Sequence, residues 1–118
     1  MNLMIRRLRA IPGYIFVGLG LLHTIVAVIR FQTLTEQALW FLSAGLALSS
    51  AGTLNIVVQG SDVPYPLRIW VVLSNLAMTV FVVVFASVTA TRNLVNPLAW
   101  VLVLNSLAAL ALSLKRPA

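Results

Sequence analysis

Residues 69–90 read IWVVLSNLAMTVFVVVFASVTA, a run without one charged side chain. At about 1.5 Å per residue, a helix over this run crosses the roughly 30 Å of a bilayer's hydrocarbon layer. Lipid offers no partner to exposed backbone N–H and C=O groups, so a helix is the economical conformation. Val80, Phe81, Val82, Val83, Val84 and Phe85 leave its second half with no polar face. That half is expected to turn to lipid or to a partner subunit.

Three further apolar runs flank this one, at 11–29, 38–58 and 97–114, and the segments between them hold nearly all the charge. The four runs predict an all-α fold: an integral membrane, antiparallel four-helix transmembrane bundle forming a single domain over 1–118. Composition agrees. Of 118 residues 61% are hydrophobic and 8% charged, with a mean hydropathy of +1.04. A soluble domain carries about 25% charged residues, so this chain lacks the polar side chains to coat a globule in water.

The residues that are missing narrow the chemistry. There is no cysteine and one histidine, His23. Thiol relays, disulfides and cysteine-held zinc are excluded within the chain, and so is a haem held by two of its own histidines. The acids are Glu36 and Asp62 alone, too few for a carboxylate-rich metal site. No cofactor and no metal is expected.

Boundary chemistry places the helix ends. Thr33-Leu34-Thr35-Glu36 fits a capping box, with Thr33 as cap, Glu36 reaching back and the second helix starting at Leu34. Asn96-Pro97 is a start signal for the fourth helix. Residues 59–66 form a turn-rich loop whose Pro64 and Pro66 stop the second helix from running on.

Orientation follows from the basic residues. Arg6, Arg7, Arg9, Arg68, Lys115 and Arg116 fall on one side of the four spans, Arg30 and Arg92 on the other. The positive-inside rule then puts both termini in the cytoplasm. The net charge of +6 is accounted for by topology and by attraction to anionic headgroups, and nucleic-acid binding is not needed to explain it. Reading Arg6-Arg7-Leu8-Arg9 and the first run as a cleavable signal or twin-arginine address is the competing view. It lacks a small-residue cleavage site and would leave an odd number of spans.

Polar residues inside the spans sort into two layers. Near the outer boundary lie His23, Arg30, Glu36, Trp40, Arg92 and Trp100; toward the cytoplasmic third lie Asn55 and Asn75, near Arg68 and Asp62, with Asn105 close to mid-membrane. The outer layer holds the chain's imidazole. If His23 and Glu36 share a cavity, the carboxylate fixes one tautomer and frees the other ring nitrogen to handle a proton; this makes them the candidate catalytic pair. The plainer alternative is a histidine bonded to a neighbouring helix and a glutamate at a helix start. For Asn55, Asn75 and Asn105 the plain reading is interhelical glue, since buried amides bond across helices in lipid. Ser43, Ser49, Ser50, Thr79, Ser87 and Ser106 are expected to bond their own helix backbones.

Small residues predict how the bundle closes. Gly13, Gly20 and Ala27 recur every seven positions on the first helix, and Gly45, Ser49 and Gly52 form a matching groove on the second. These two helices are expected to approach closely. Trp40, Trp70 and Trp100, with Tyr14 and Tyr65, are placed at span boundaries as an aromatic belt.

Small multidrug-resistance transporters share the size and the four spans, but they carry an acid in the middle of the first helix, where this chain has His23 and no carboxylate. The stretches 18–23 (GLGLLH), 38–45 (ALWFLSAG) and 52–55 (GTLN) resemble a family of small four-span bacterial membrane proteins of unknown function. The resemblance covers mainly 18–55. It implies a four-helix fold and a bacterial inner membrane, and no activity.

Three functions are compatible with these residues. The first is a non-catalytic protein that binds an apolar ligand or serves as an accessory to a membrane-protein partner or a second copy, with membrane lipids around it. The second is a proton-coupled small-molecule transporter acting as an oligomer. The third is an enzyme on a lipid or isoprenoid with His23 as acid/base.

Overall fold

A computed structural model describes residues 2–60, 62–91 and 97–115. Four helices account for most of them: α1 (Leu3–Arg30), α2 (Glu36–Val57), α3 (Tyr65–Thr91) and α4 (Pro97–Leu114). Each is long and apolar enough to cross a membrane, and the Cα envelope measures 46 × 29 × 25 Å. Arg92, Asn96 and Arg116 lie outside the described residues, so the asparagine cap expected for α4 is not described, although α4 does begin at Pro97.

Three helix starts differ from the sequence reading. α1 begins at Leu3, about two turns before the apolar run, with the Asn2 side chain accepting from Met4 N–H at 3.1 Å as its cap. Apolarity marks the part of a helix suited to lipid, whereas the backbone ladder needs only compatible residues, and Leu, Met and Arg are good helix formers. α2 is capped by Thr35, which accepts from Ala38 N–H at 3.2 Å, and not by Thr33; Glu36 is therefore its first residue and not the far half of a capping box. α3 begins at Tyr65 and takes in Pro66, whose missing N–H is harmless in a first turn. The carbonyl of Pro64 accepts from the N–H groups of Leu67 and Arg68. The prolines that stop α2 thus also open α3.

The helices are grouped as two hairpins. α1 and α2 have the most extensive contact, α3 and α4 the next, and the hairpins touch each other over smaller areas. The α1–α2 seam is the predicted one. Gly13, Gly20 and Ala27 are buried on α1, facing the buried Gly45 and Gly52 on α2. A Cβ on Gly13 would lie 2.8 Å from the Gly52 carbonyl oxygen, and one on Gly45 would lie 2.9 Å from that of Gly20. Backbone meets backbone along this line, which is how small residues let dispersion forces hold helices in lipid.

α3 and α4 close differently, through Val82, Ala86, Ala99 and Val103 with Met78 and Leu102 against them. Phe16 of α1 is fully buried where the hairpins meet, in contact with the cluster formed with Leu48 of α2 and Ala109 of α4. Large apolar side chains elsewhere are exposed, including Phe81, Val84 and Phe85 on the second half of α3 and Trp40, Trp70 and Trp100. This is the distribution a lipid-facing surface requires. Tyr14 is exposed too, but the early start of α1 puts it three turns into the helix.

Candidate functional site

Asparagines join the hairpins. Asn55 of α2 and Asn75 of α3 exchange two amide hydrogen bonds, Asn55 Nδ2 donating to Asn75 Oδ1 at 2.7 Å and Asn75 Nδ2 to Asn55 Oδ1 at 2.8 Å. The second N–H of each is used as well. Asn55 donates to Ala51 O on its own helix at 2.8 Å, and Asn75 to Ala109 O on α4 at 3.2 Å. One turn from Ala109, Asn105 donates to Pro12 O on α1 at 3.0 Å. All three side chains are buried. The circuit runs α2 to α3 to α4 to α1 through amides, and α1 returns to α2 through the glycine seam.

What the sequence reading separated as an inner and a mid-membrane position is therefore one connected band, and its amides are committed to helix joints. Among the described residues both N–H groups of Asn55 and of Asn75 are taken, and Asn105 spends one of its two on the α1 carbonyl. Thr79 Oγ1 bonds Asn75 O, and Ser43 and Ser87 likewise bond carbonyls of their own helices. Ser106 departs from that expectation. It is 0% exposed and its Oγ has no hydrogen-bond partner among the described residues. An orphaned buried hydroxyl costs about 1–3 kcal/mol, so Ser106→Ala is expected to leave the fold unchanged and raise its unfolding midpoint; a drop in that midpoint would show that Oγ has a partner in solution.

At the other end of the helices, the outer-layer residues are brought into local pairs. The His23 imidazole stacks on the Phe41 ring, centroids 3.7 Å apart and planes 9° from parallel, and Phe31 tilts against Phe41 at 5.8 Å. Glu36 accepts from Trp40 Nε1 at 3.5 Å, and Trp40 is 70% exposed. Arg30 is exposed in the last turn of α1. His23 and Glu36 form no ion pair among the described residues. The reason is register. His23 sits level with Phe41, and Glu36 lies five residues earlier, at the start of α2, about 7.5 Å away along the axis. Phe41 is the partner that sequence reading missed; only the α1–α2 register reveals it.

The basic end has a different character. Arg6 Nε donates to Gln59 O just beyond the end of α2 at 2.8 Å, and Arg9 Nη2 to Leu112 O and Lys115 O at the end of α4 at 2.8 and 2.9 Å. Two arginines on the first turns of α1 thus satisfy carbonyls that the ends of α2 and α4 leave open, and positive charge there also suits the helix dipoles. Sequence counting assigned both residues to topology and to attraction to anionic headgroups, and not to helix ends.

Beside these caps lies a cleft of about 270 Å³ between the ends of α2 and α4 and the start of α3. Its polar wall includes Arg9, Gln59, Tyr65, Arg68 and Lys115, and its apolar wall includes Val58, Ile69, Val72 and Leu112. Three cations and no carboxylate line it among the described residues. Arg68 is half-buried, and its guanidinium is committed to no partner among those residues, although its backbone N–H bonds Pro64 O. A fixed charge at the rim of an apolar cleft is suited to binding and orienting an anionic amphiphile. The sequence signal was Arg68 itself, a charge crowding the boundary of an apolar run between Tyr65 and Trp70. The chain matches no family model, no curated protein and no solved structure, so its site is defined by its own residues.

Proposed function

We propose that this chain is a non-catalytic multi-pass membrane protein, an antiparallel four-helix bundle with both termini cytoplasmic, that holds an amphiphilic ligand in the cleft at its basic end. The observation that carries the proposal is the composition of that cleft, in which cations and hydrogen-bond donors meet an apolar wall at the end of the helices. Such two-part lining is what small-molecule sites use, apolar surface for affinity and a few polar groups for orientation. The asparagine band and the glycine seam are accounted for as structure. His23 stacks on Phe41 and Glu36 bonds Trp40, so the two are not brought together as an acid/base pair.

Membrane orientation follows from the same end. Arg6, Arg7, Arg9, Arg68 and Lys115 gather there, and the positive-inside rule turns it to the cytoplasm. A bacterial inner membrane is the setting that the resemblance over 18–55 implies. The chain's lack of cysteine makes the topology directly measurable. Single cysteines introduced at Leu34 and at Lys115 are expected to be labelled by an impermeant maleimide from opposite sides of the membrane, Leu34→Cys from outside. Labelling of both from one side would overturn the four-span arrangement. For the ligand, native mass spectrometry after gentle extraction is expected to show the protein retaining an amphiphile of lipid mass. Protein that retains none, and that no lipid class stabilises, would overturn the ligand-binding reading.

A further inference from the structure

Resting on that ligand-binding reading, we infer that the cleft takes the phosphate of an anionic phospholipid, with Arg68 as its anchoring cation. Charge is the first ground. Arg9, Arg68 and Lys115 contribute three positive charges to the cleft lining, which among the described residues contains no acid. The Arg9 Nη2 group is occupied by the α4 carbonyls, and the Lys115 carbonyl is one of those acceptors. The Arg68 guanidinium has no partner there among the described residues. A planar fork of N–H donors matches two phosphate oxygens at once, which a point charge does not.

Size and shape are the second ground. About 270 Å³ is below the roughly 300–1,000 Å³ of a site for a drug-sized ligand. It accommodates a headgroup phosphate and the first methylenes, with the remaining acyl chain left in the bilayer. Ile69, Val72 and Leu112 provide the apolar continuation on the α3 and α4 walls. A free phosphate would fill the polar part and leave this surface uncovered. Position is the third. The cleft lies at the level where α2 and α4 end, beside the exposed Tyr65 and Trp70, and such aromatic residues mark the headgroup level of a membrane. Basic pockets on the cytoplasmic side are placed to meet the anionic lipids of that leaflet.

The test measures the binding of phosphatidylglycerol, phosphatidylcholine and inorganic phosphate to the full chain in a neutral detergent, by native mass spectrometry and by the shift in thermal midpoint. Phosphatidylglycerol is expected to bind at one per chain and at least tenfold more tightly than phosphatidylcholine, with inorganic phosphate giving no shift. Arg68→Gln is expected to abolish the tenfold preference. Arg7→Gln, which removes an exposed charge at the same end but outside the cleft wall, is expected to keep it. Val72→Trp, which fills the apolar wall and spares every cation, is expected to weaken phosphatidylglycerol at least tenfold; it serves as a second probe if Arg68→Gln does not fold. Equal binding of the two lipids would overturn the anionic-phospholipid inference while leaving the ligand-binding reading standing. No binding of either lipid would overturn the phospholipid inference, and if the extracted protein also retains no amphiphile and no other lipid class stabilises it, the ligand-binding reading falls too. Equal loss in Arg7→Gln and Arg68→Gln would show diffuse attraction in place of a site, and a shift with phosphate alone equal to that with the lipid would overturn the lipid source.

Discussion

Asn75→Ala is expected to cost about 2–4 kcal/mol of bundle stability, the larger part from what it leaves behind. The variant loses two bonds to Asn55 and one to Ala109 O. Interhelical hydrogen bonds in membrane proteins contribute about 0.6–2 kcal/mol each because the separated helices also find partners. The remaining Asn55 keeps its bond to Ala51 O, but its Oδ1 is left buried with no donor, a penalty of about 1–3 kcal/mol. The double variant Asn55→Leu with Asn75→Leu removes both amides, and its cost is expected to be smaller than the sum of the two single variants. Unfolding in mixed micelles with increasing denaturing detergent measures all three. A loss of about 0.5 kcal/mol or less in Asn75→Ala would show that the amide pair does not hold the hairpins together.

Two alanine substitutions on α1, two residues apart, are expected to have opposite signs. A Cβ at Gly20 would lie 2.7 Å from both the Gly45 carbonyl oxygen and the Ser49 backbone nitrogen. Neither atom can rotate away, so α1 and α2 must separate along the seam. Overpacking of this kind costs about 1–3 kcal/mol, and Gly20→Ala is expected near the upper end because the whole seam opens. At Gly18 a Cβ meets nothing within 4 Å. There alanine only restricts the unfolded chain and improves helix propensity, so Gly18→Ala is expected to stabilise by about 0.5–1 kcal/mol. The same unfolding measurement compares them, and destabilisation by Gly18→Ala equal to that by Gly20→Ala would rule out the backbone contact as the cause.

Both expectations show where sequence reading reached and where it stopped. The spacing of Gly13, Gly20 and Ala27 identified the seam, because a stripe of small residues on one helix face has few other uses in lipid. It put Gly20 in the stripe and left Gly18 out, but that a Cβ at Gly20 would meet backbone atoms of Gly45 and Ser49 depends on where the partner helix lies. The asparagines were legible as helix joints from their type alone. Their partners were not, because pairing Asn55 with Asn75 requires the tilt and register of α2 and α3. The outer layer was the preferred place for chemistry because it gathers rare residues near one predicted boundary, but a shared depth does not specify contacts. Five residues of register put Phe41, and not Glu36, beside His23.

By itself the sequence determined four long apolar helices and the clustering of basic residues, because hydrocarbon thickness and the saturation of backbone hydrogen bonds act on each segment independently. Helix starts were less determined, since a polar stretch such as 3–10 continues a helix as readily as it ends one when Arg6 and Arg9 find carbonyls on other helices. The cleft at the basic end was decided by the tertiary structure alone. Arg9, Gln59, Arg68 and Lys115 come from four separate segments of the chain, and only the packing of the two hairpins brings them to one wall.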